Sequence, residues 1–430
     1  MRAVVLAAGK GTRMRSSLVK VLHPVMGRPM LAYVLDQLAQ LGIREIVLVV
    51  GHGADEIRSF LKRRDAVSAP GTGRRNPAPT LVFQKQQRGT GHAVLRARPK
   101  FSGYSGDILI WPGDMPLVTL ETLKQFLAAH HKAKPQASVL SSLQIEPSGY
   151  GRILRAGGKF FGIREELDAS ESEKRIQEVN SGIYLFQSAA LWKGLSEIRP
   201  SNQKNEFYLT DTIEVLAARG CRLEAFPFAT LPEAQGINDR RDLGEAHRMM
   251  KNREIINHQE RGVTFVSPDQ TFIEPGVKIG ADTVIYPWCY IESGVSIGKG
   301  CQIGPFSKIR KGTTLGANTV IGSFVEVSRS KIGRKVLAKH LAYLGDAEIG
   351  DETNIGAGTI TANFDGKNKN KTQIGKKVFV GSNTVFVAPV RIGDGAHTGA
   401  GAVLTKGTKV KAGGVVVGVP AKPLRKLKHS

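Results

Sequence analysis

The chain has 430 residues, 41% hydrophobic and 23% charged, enough for two or more domains that each bury a core. No apolar run approaches the ~20 residues of a membrane helix, and the run Ala3–Ala8 is too short for a signal-peptide core, so membrane insertion and secretion are not expected. The net charge of +24 is segregated as +13 in residues 1–100, −3 in 101–300 and +14 in 301–430; with no nucleic-acid-binding signature and only 7% aromatics, this favours two sites for small phosphorylated ligands over a nucleic-acid surface.

In chain order, Ala3–Ala8 reads as a buried strand followed by a Gly-rich loop. Pro29 opens a helix whose apolar residues Leu31, Val34, Leu35, Leu38 and Leu41 recur at helical spacing. Ile46–Val50, Leu81–Gln84 and Ile108–Trp111 are further strands, and Ser68–Thr80, rich in Pro and Gly with two adjacent arginines, reads as an exposed loop. Alternating strands and helices imply a mostly parallel sheet covered on both faces, with ligands at the carboxyl ends of its strands. Arg240–His258 reads as a connecting helix carrying Leu243, Ala246, Met250 and Ile255 on one side. Cys221, Cys289 and Cys301 have neither paired nor metal-ligand spacing, which suits a reducing compartment, and the cytoplasm is the expected location.

From Ile279 an aliphatic residue recurs every six positions, through Ile285, Ile291, Ile297, Ile303, Ile309, Leu315, Ile321 and Val327. The register slips near Ile332, returns through Ile349 and Ile355, and resumes at Ile374, Val380, Phe386 and Ile392, then at Leu404, Val410 and Val416. A period of six fits neither a helix nor a lone strand. It fits a parallel β-helix with triangular coils, each hexapeptide one flat face and each aliphatic a knob in the core. The polar stretch Gly358–Lys371 breaks the register and is expected as an external loop, and the basic tail Lys422–Ser430 as frayed.

Leu6-Ala7-Ala8-Gly9-Lys10-Gly11-Thr12-Arg13 follows the first strand directly, so small residues admit a ligand close to the backbone and Arg13 and Lys20 add mobile positive charge. The spacing is neither that of a P-loop nor that of the dinucleotide fingerprint. The stretch LAAGKGTRM…KVLHPVMGRPM resembles the N-terminal signature of sugar-phosphate nucleotidyltransferases. With the repeats behind it, nearly the whole chain resembles the bifunctional N-acetylglucosamine-1-phosphate uridyltransferase/glucosamine-1-phosphate N-acetyltransferase family. That resemblance implies a Rossmann-like α/β nucleotidyltransferase domain (residues 1–230), a linker helix (231–260) and a left-handed parallel β-helix acetyltransferase domain (261–430).

The resemblance further implies that Leu6, Ala7, Ala8 and Gly9 hold the nucleotide and that Gln84, Gly89 and Thr90 complete a uridine pocket. Pro112-Gly113-Asp114 ends a strand, with Asp114 and Asn238 as the implied Mg²⁺ ligands and Arg13 and Lys20 as the implied catalytic cations. Gly151, Glu165 and Asn180 match positions for the N-acetylglucosamine portion. Pro112 stands where relatives carry a small polar or tyrosyl residue, and Glu166 and Leu167 where a lysine is common.

In the coils, Lys339-His340-Leu341-Ala342-Tyr343-Leu344-Gly345-Asp346 resembles the family's acetyltransferase block, with His340 as the implied general base. Arg310 matches a phosphate-binding arginine, Tyr343 and Asn354 match sugar contacts, and Ala357, Asn363, Phe364, Ser382 and Ala400 match acetyl-CoA contacts. Lys369, in the expelled loop, is expected to reach the phosphate site of a neighbouring subunit in a homotrimer whose sites lie at subunit seams. Ser328 replaces a family lysine, Phe364 a tyrosine and Gly418 an arginine. Arg329 is adjacent to Ser328, but strand alternation would turn it to the opposite side.

The expected substrates are UTP, N-acetylglucosamine 1-phosphate, glucosamine 1-phosphate and acetyl-CoA, and the expected product is UDP-N-acetylglucosamine. Ser328 and Gly418 leave open a uridyltransferase whose β-helix serves only for trimerisation and regulation. A non-catalytic nucleotide-sugar sensor would not need Arg13, Lys20, Asp114 and Asn238 together.

Overall fold

A computed structural model describes residues 1–65, 78–144, 146–200, 202–230 and 232–423. Most of the basic loop and all but the start of the basic tail lie outside the described residues. The chain divides into two compact units, Met1–His247 and Arg248–Ser430.

The first unit is built on a nine-stranded sheet. Its strands are β1 (Arg2–Ala7), β2 (Ile46–Val50), β3 (Thr80–Phe83), β4 (Asp107–Pro112), β5 (Ala137–Leu143), β6 (Arg152–Ala156), β7 (Lys159–Arg164), β8 (Glu178–Gln187) and β9 (Leu223–Phe226). The main order is β9-β5-β8-β4-β1-β2-β3, with the β6/β7 hairpin attached to β8. All main strands run parallel except β8, which is antiparallel to both neighbours. The third and fourth strands, expected over Leu81–Gln84 and Ile108–Trp111, are shifted or lengthened by one residue at each end.

β1 carries apolar residues on both faces because helices cover both sides of the sheet. Ala3, Val5 and Ala7 enter one core with Leu31, Val34, Leu35 and Leu38 of α1 (Met30–Gln40). Val4 enters the other with Ala93, Val94 and Ala97 of α2 (Thr90–Ala97). Pro29 is the cap before α1, and Leu41 lies just past its end. Chain direction diverges at β1, whose neighbours are β2 on one side and β4 on the other, and ligands bind at such switch points beyond the strand ends.

A helix over Arg240–Gln259 spans the boundary between the units and buries Leu243, Ala246 and Ile255, with Met250 half-buried. Among the described residues of the expected linker over 231–260, the helix begins at Arg240.

The second unit is the left-handed β-helix, with three sheets of strands that pair in parallel from coil to coil, one of them ending in an antiparallel strand at Lys422–Pro423. Every aliphatic of the repeat named above is buried in one continuous core. The register slip has a defined form. The step between core positions shortens to five residues at Val327→Ile332 and again at Leu344→Ile349. Ala338, Leu344, Thr361 and Thr398 fill the inner positions that the sequence pattern skips. The next step at this corner, Thr361→Ile374, holds the expelled loop.

Candidate active sites

At the carboxyl end of β1 the backbone turns through Gly11, whose φ of 61° favours glycine. Beside it lies a cavity of about 520 Å³ walled by Leu6, Ala8, Gly9, Gln84, Gly89, Thr90, Pro112 and Asp114. Ala7 points instead into the core. Gln84 is buried; its amide donates to the Gly89 carbonyl at 3.1 Å and faces His92 Nδ1 at 2.9 Å. Burial, then the Arg88 and Arg96 charges, hold His92 below its ordinary pKa, so its neutral ring can accept that amide hydrogen. Gly89 is required: at φ 104° a Cβ would run into the Phe207 carbonyl, and the Phe207 and Leu209 amides bond back to Arg88 O and Thr90 Oγ1.

Lys10, Gln87 and Glu206 also line this cavity. Gln87 fixes the wall by donating to the Ala8 carbonyl at 3.0 Å, and its only sequence signal is its place in the QKQQRGTG block. Arg13 is exposed on the short turn after Gly11 and does not line the cavity.

Lys20 ties the ends of three segments together. Its ammonium is ion-paired to the Asp114 carboxylate and donates to Asn238 Oδ1 at 2.9 Å. Asn238 is held by its Nδ2 hydrogen bond to Gly236 O at 3.0 Å and by its amide on Asp242 Oδ2 at 2.8 Å. Asp114 is held through the Ile237 amide on its own carbonyl, and Gly113 by donating to Leu6 O at 2.8 Å. A carboxylate and an amide oxygen thus converge on one cation. Hard oxygen donors of this kind suit Mg²⁺, which takes its remaining ligands from phosphate and water. Among the described residues no group of three or more His, Cys, Asp or Glu side chains could hold a metal alone.

Gly151, Glu165 and Asn180 also come together. The Asn180 amide donates to Gly151 O at 2.8 Å, and a Cβ on Gly151 would lie 3.5 Å from the Glu165 carboxylate. Asn180 occupies a β-bulge of β8, where the pairing with β5 shifts before Ile183. Glu165 faces a polar cavity of about 330 Å³ with Asp168, Asp211 and Glu214. Burial raises Glu165, and burial with the Glu214 charge pushes Asp211 up to about 6.

In the β-helix the shortened corners stack. Ser328 and Arg329 lie below Gly345 and Asp346, and Asn363 opens the expelled loop above. The strand ends at Ser328, and Arg329 takes a left-handed φ of 50°, so strand alternation does not govern its direction. Its guanidinium folds beside Ser328, 2.8 Å from Oγ, and grips Asp346 through two bonds of 2.7 and 2.8 Å. This corrects the expected opposite-side orientation. Asn363 also donates to Asp346. Over Gly345, the Tyr343 hydroxyl and Asn363 Nδ2 would lie 2.6 and 2.8 Å from an added Cβ, so a larger residue there would have to displace both side-chain ends.

His340 is exposed at the end of its strand, paired in register with Ser323, one residue before the corner at Leu341. Arg310 pairs with Glu326 at 3.0 Å and lies in register with Ser328. Asn354 and Ala357 are half-buried, Asn363 is buried, and Phe364, Ser382 and Ala400 are exposed. The expelled loop is closed by Phe364–Lys369 pairing and by Asp365, whose carboxylate accepts from Lys367, Asn368 and Asn370.

Residues 3–180 match the MobA-like NTP transferase domain, and residues 294–329 and 371–406 match the bacterial transferase hexapeptide (six repeats). A "Bifunctional protein GlmU" of Syntrophotalea carbinolica is 42% identical over 94% of this chain and 92% of its own length. Those of Halalkalibacterium halodurans and Listeria welshimeri are 40% and 38% identical, covering 94% and 96% of this chain and 93% and 95% of theirs. Both units are spanned by these relatives, and the chain therefore belongs to the GlmU family of bifunctional enzymes, a nucleotidyltransferase unit joined to a hexapeptide acyltransferase unit.

Proposed function

We propose that the β-helix acetylates glucosamine 1-phosphate from acetyl-CoA and that the α/β unit then transfers uridylyl from UTP to the resulting N-acetylglucosamine 1-phosphate. The observation that carries the second step is the convergence of Asp114 and Asn238 beside the Gly9 loop and the Gln84 cavity. A phosphate oxygen of the sugar phosphate attacks the α-phosphorus of UTP; the new P–O bond forms as the bond to pyrophosphate breaks. Asp114 and Asn238 would hold Mg²⁺, which when bound neutralises charge on the phosphates. Arg13 and Lys20 add positive charge as negative charge builds on pyrophosphate. Gln84, Gly89 and Thr90 orient the uridine, while Gly151, Glu165 and Asn180 orient the sugar.

In the coils the 2-amino nitrogen attacks the thioester carbonyl, His340 accepts the proton the nitrogen loses, and the coenzyme A thiolate departs. Arg310 and Arg329 are the cations proposed for the sugar phosphate, with Tyr343 and Asn354 on the sugar. Ala357, Asn363, Phe364, Ser382 and Ala400 would line the coenzyme. Arg329 beside Ser328 supports an acetyl-transferring β-helix over one that only trimerises.

We also propose a homotrimer in the cytoplasm. Trp288, Phe306, Phe324 and Leu341, 53%, 48%, 59% and 61% exposed, recur at one corner of successive coils, and the three rings stack with centroids 6.2 and 5.1 Å apart. An apolar ridge that long, one residue from His340, suits burial against a second copy. The free cysteines suit a reducing compartment. Incubation with glucosamine 1-phosphate, acetyl-CoA and UTP should yield UDP-N-acetylglucosamine, and withholding acetyl-CoA should stop it unless N-acetylglucosamine 1-phosphate is added. Product formed without either acetyl source would refute the scheme.

A further inference from the structure

The side chain that neutralises Asp114 is not a bystander to the cation site, because it fills it. Lys20 donates to Asn238 Oδ1 at 2.9 Å while paired to Asp114, so its ammonium claims the same two oxygen donors that would hold a divalent ion. An ion bound at ~2.1 Å from those oxygens would overlap the ammonium position and repel it. The lysine side chain is only 14% exposed and the Asp114 side chain 20%, so little solvent screens that repulsion. The stem has a second anchor point. Gly11 in the loop after β1 lies so close that a Cβ there would be 2.7 Å from Lys20 Cβ. The ammonium can therefore leave Asp114 and swing about a stem that stays packed against that loop, whose Gly9 and Lys10 line the cavity.

Resting on the reading of Asp114 and Asn238 as metal ligands, we propose that Lys20 is a built-in competitor for the divalent ion. It stabilises the metal-free site, and the arriving ion expels it from Asp114 toward the phosphates of the nucleotide. Two roles then belong to one residue at different times: counter-ion of Asp114 before loading, and phosphate cation afterwards. An intramolecular competitor weakens metal binding in proportion to its effective concentration, and a nucleotide phosphate that captures the displaced ammonium relieves that competition. Metal and nucleotide should consequently bind with positive coupling, and part of that coupling should reside in Lys20.

The test is direct Mn²⁺ binding to the full-length, nucleotide-free protein, read from the free-ion EPR signal, for wild type, Lys20→Met, Lys20→Gln and Asp114→Ala. The two lysine variants guard against one of them failing to fold, which a melting curve would reveal. Both should bind Mn²⁺ about tenfold or more tightly than wild type, the expected size for removing a tethered competitor. Asp114→Ala should abolish the site. Lysine variants that bind Mn²⁺ no more tightly than wild type, with Asp114→Ala still abolishing binding, would overturn the competition while leaving the metal site intact. Unchanged Mn²⁺ binding in Asp114→Ala would instead overturn the metal-ligand reading on which it rests.

Discussion

Arg329 grips Asp346 of the next coil through two parallel bonds of 2.7 and 2.8 Å, and this contact exists because both residues sit at corners shortened by one residue. Arg329 is mainly responsible for holding the Asp346 carboxyl below its ordinary pKa, and the Asn363 amide also bonds to that carboxylate. One cation thus braces the corner, and its remaining end nitrogen donates to the hydroxyl of the buried Ser328.

Replacing Arg329 with Ala should raise KM for glucosamine 1-phosphate in acetyl transfer by about tenfold, as expected for loss of a charge-assisted phosphate bond. Uridylyl transfer should be unchanged. Arg329→Lys should recover charge but not the fork to Asp346, and should rescue only part of the loss. Steady-state kinetics of both half-reactions check this, and an unaltered KM in Arg329→Ala would remove Arg329 from the phosphate site.

Asp114→Ala should lower kcat for uridylyl transfer by about 10²-fold or more while leaving acetyl transfer intact. Arg13→Ala should have a loss of similar order despite the exposure of Arg13, because its proposed partner is the departing pyrophosphate. Pyrophosphate release measures both. Turnover near that of wild type in either variant would remove that residue from the mechanism.

Asp211 provides a pH test. Its folded-state pKa of about 6 lies above the ordinary 3.8, so between those values the folded chain holds a proton that the unfolded chain has released. The stabilisation is complete below about pH 4 and is lost as the pH rises through 6. Asp211→Asn should therefore stabilise the protein at pH 7 by about 1–2 kcal/mol and have little effect at pH 4. Thermal melts at the two pH values decide it, and equal shifts at both would contradict the assignment.

Phe306→Asp should break the apolar ridge. Light scattering should find the trimer mass in wild type and a smaller species in the variant, with acetyl transfer falling at least about tenfold and uridylyl transfer kept. A variant that stays trimeric would place the subunit seam elsewhere.

Much of this architecture was legible in the sequence because hexapeptide knobs need only one buried aliphatic per step, and Ile279 through Val327 supply it without a gap. Legibility failed where the knob is small or polar, at Ala338 and Thr361, since a close-packed corner accepts a side chain that a hydrophobic pattern does not count. The slip near Ile332 was visible, but its consequence was not: a left-handed Arg329 escapes the alternation that strand residues obey. Asp114, Asn238, Gly151, Glu165 and Asn180 could be named from motif blocks, yet nothing in their spacing places Lys20 between the first two. Gln87 and Glu206 became visible only when the fold brought distant loops to one cavity wall.

One chain carries two separable chemistries, which coenzyme A release from acetyl-CoA in the presence and absence of glucosamine 1-phosphate tests most directly. Wild type should release coenzyme A only when the sugar phosphate is present, and His340→Ala should abolish that release while retaining uridylyl transfer. Absence of release from well-folded wild-type protein, or full release from His340→Ala, would contradict the assignment of acetyl transfer to the β-helix and His340.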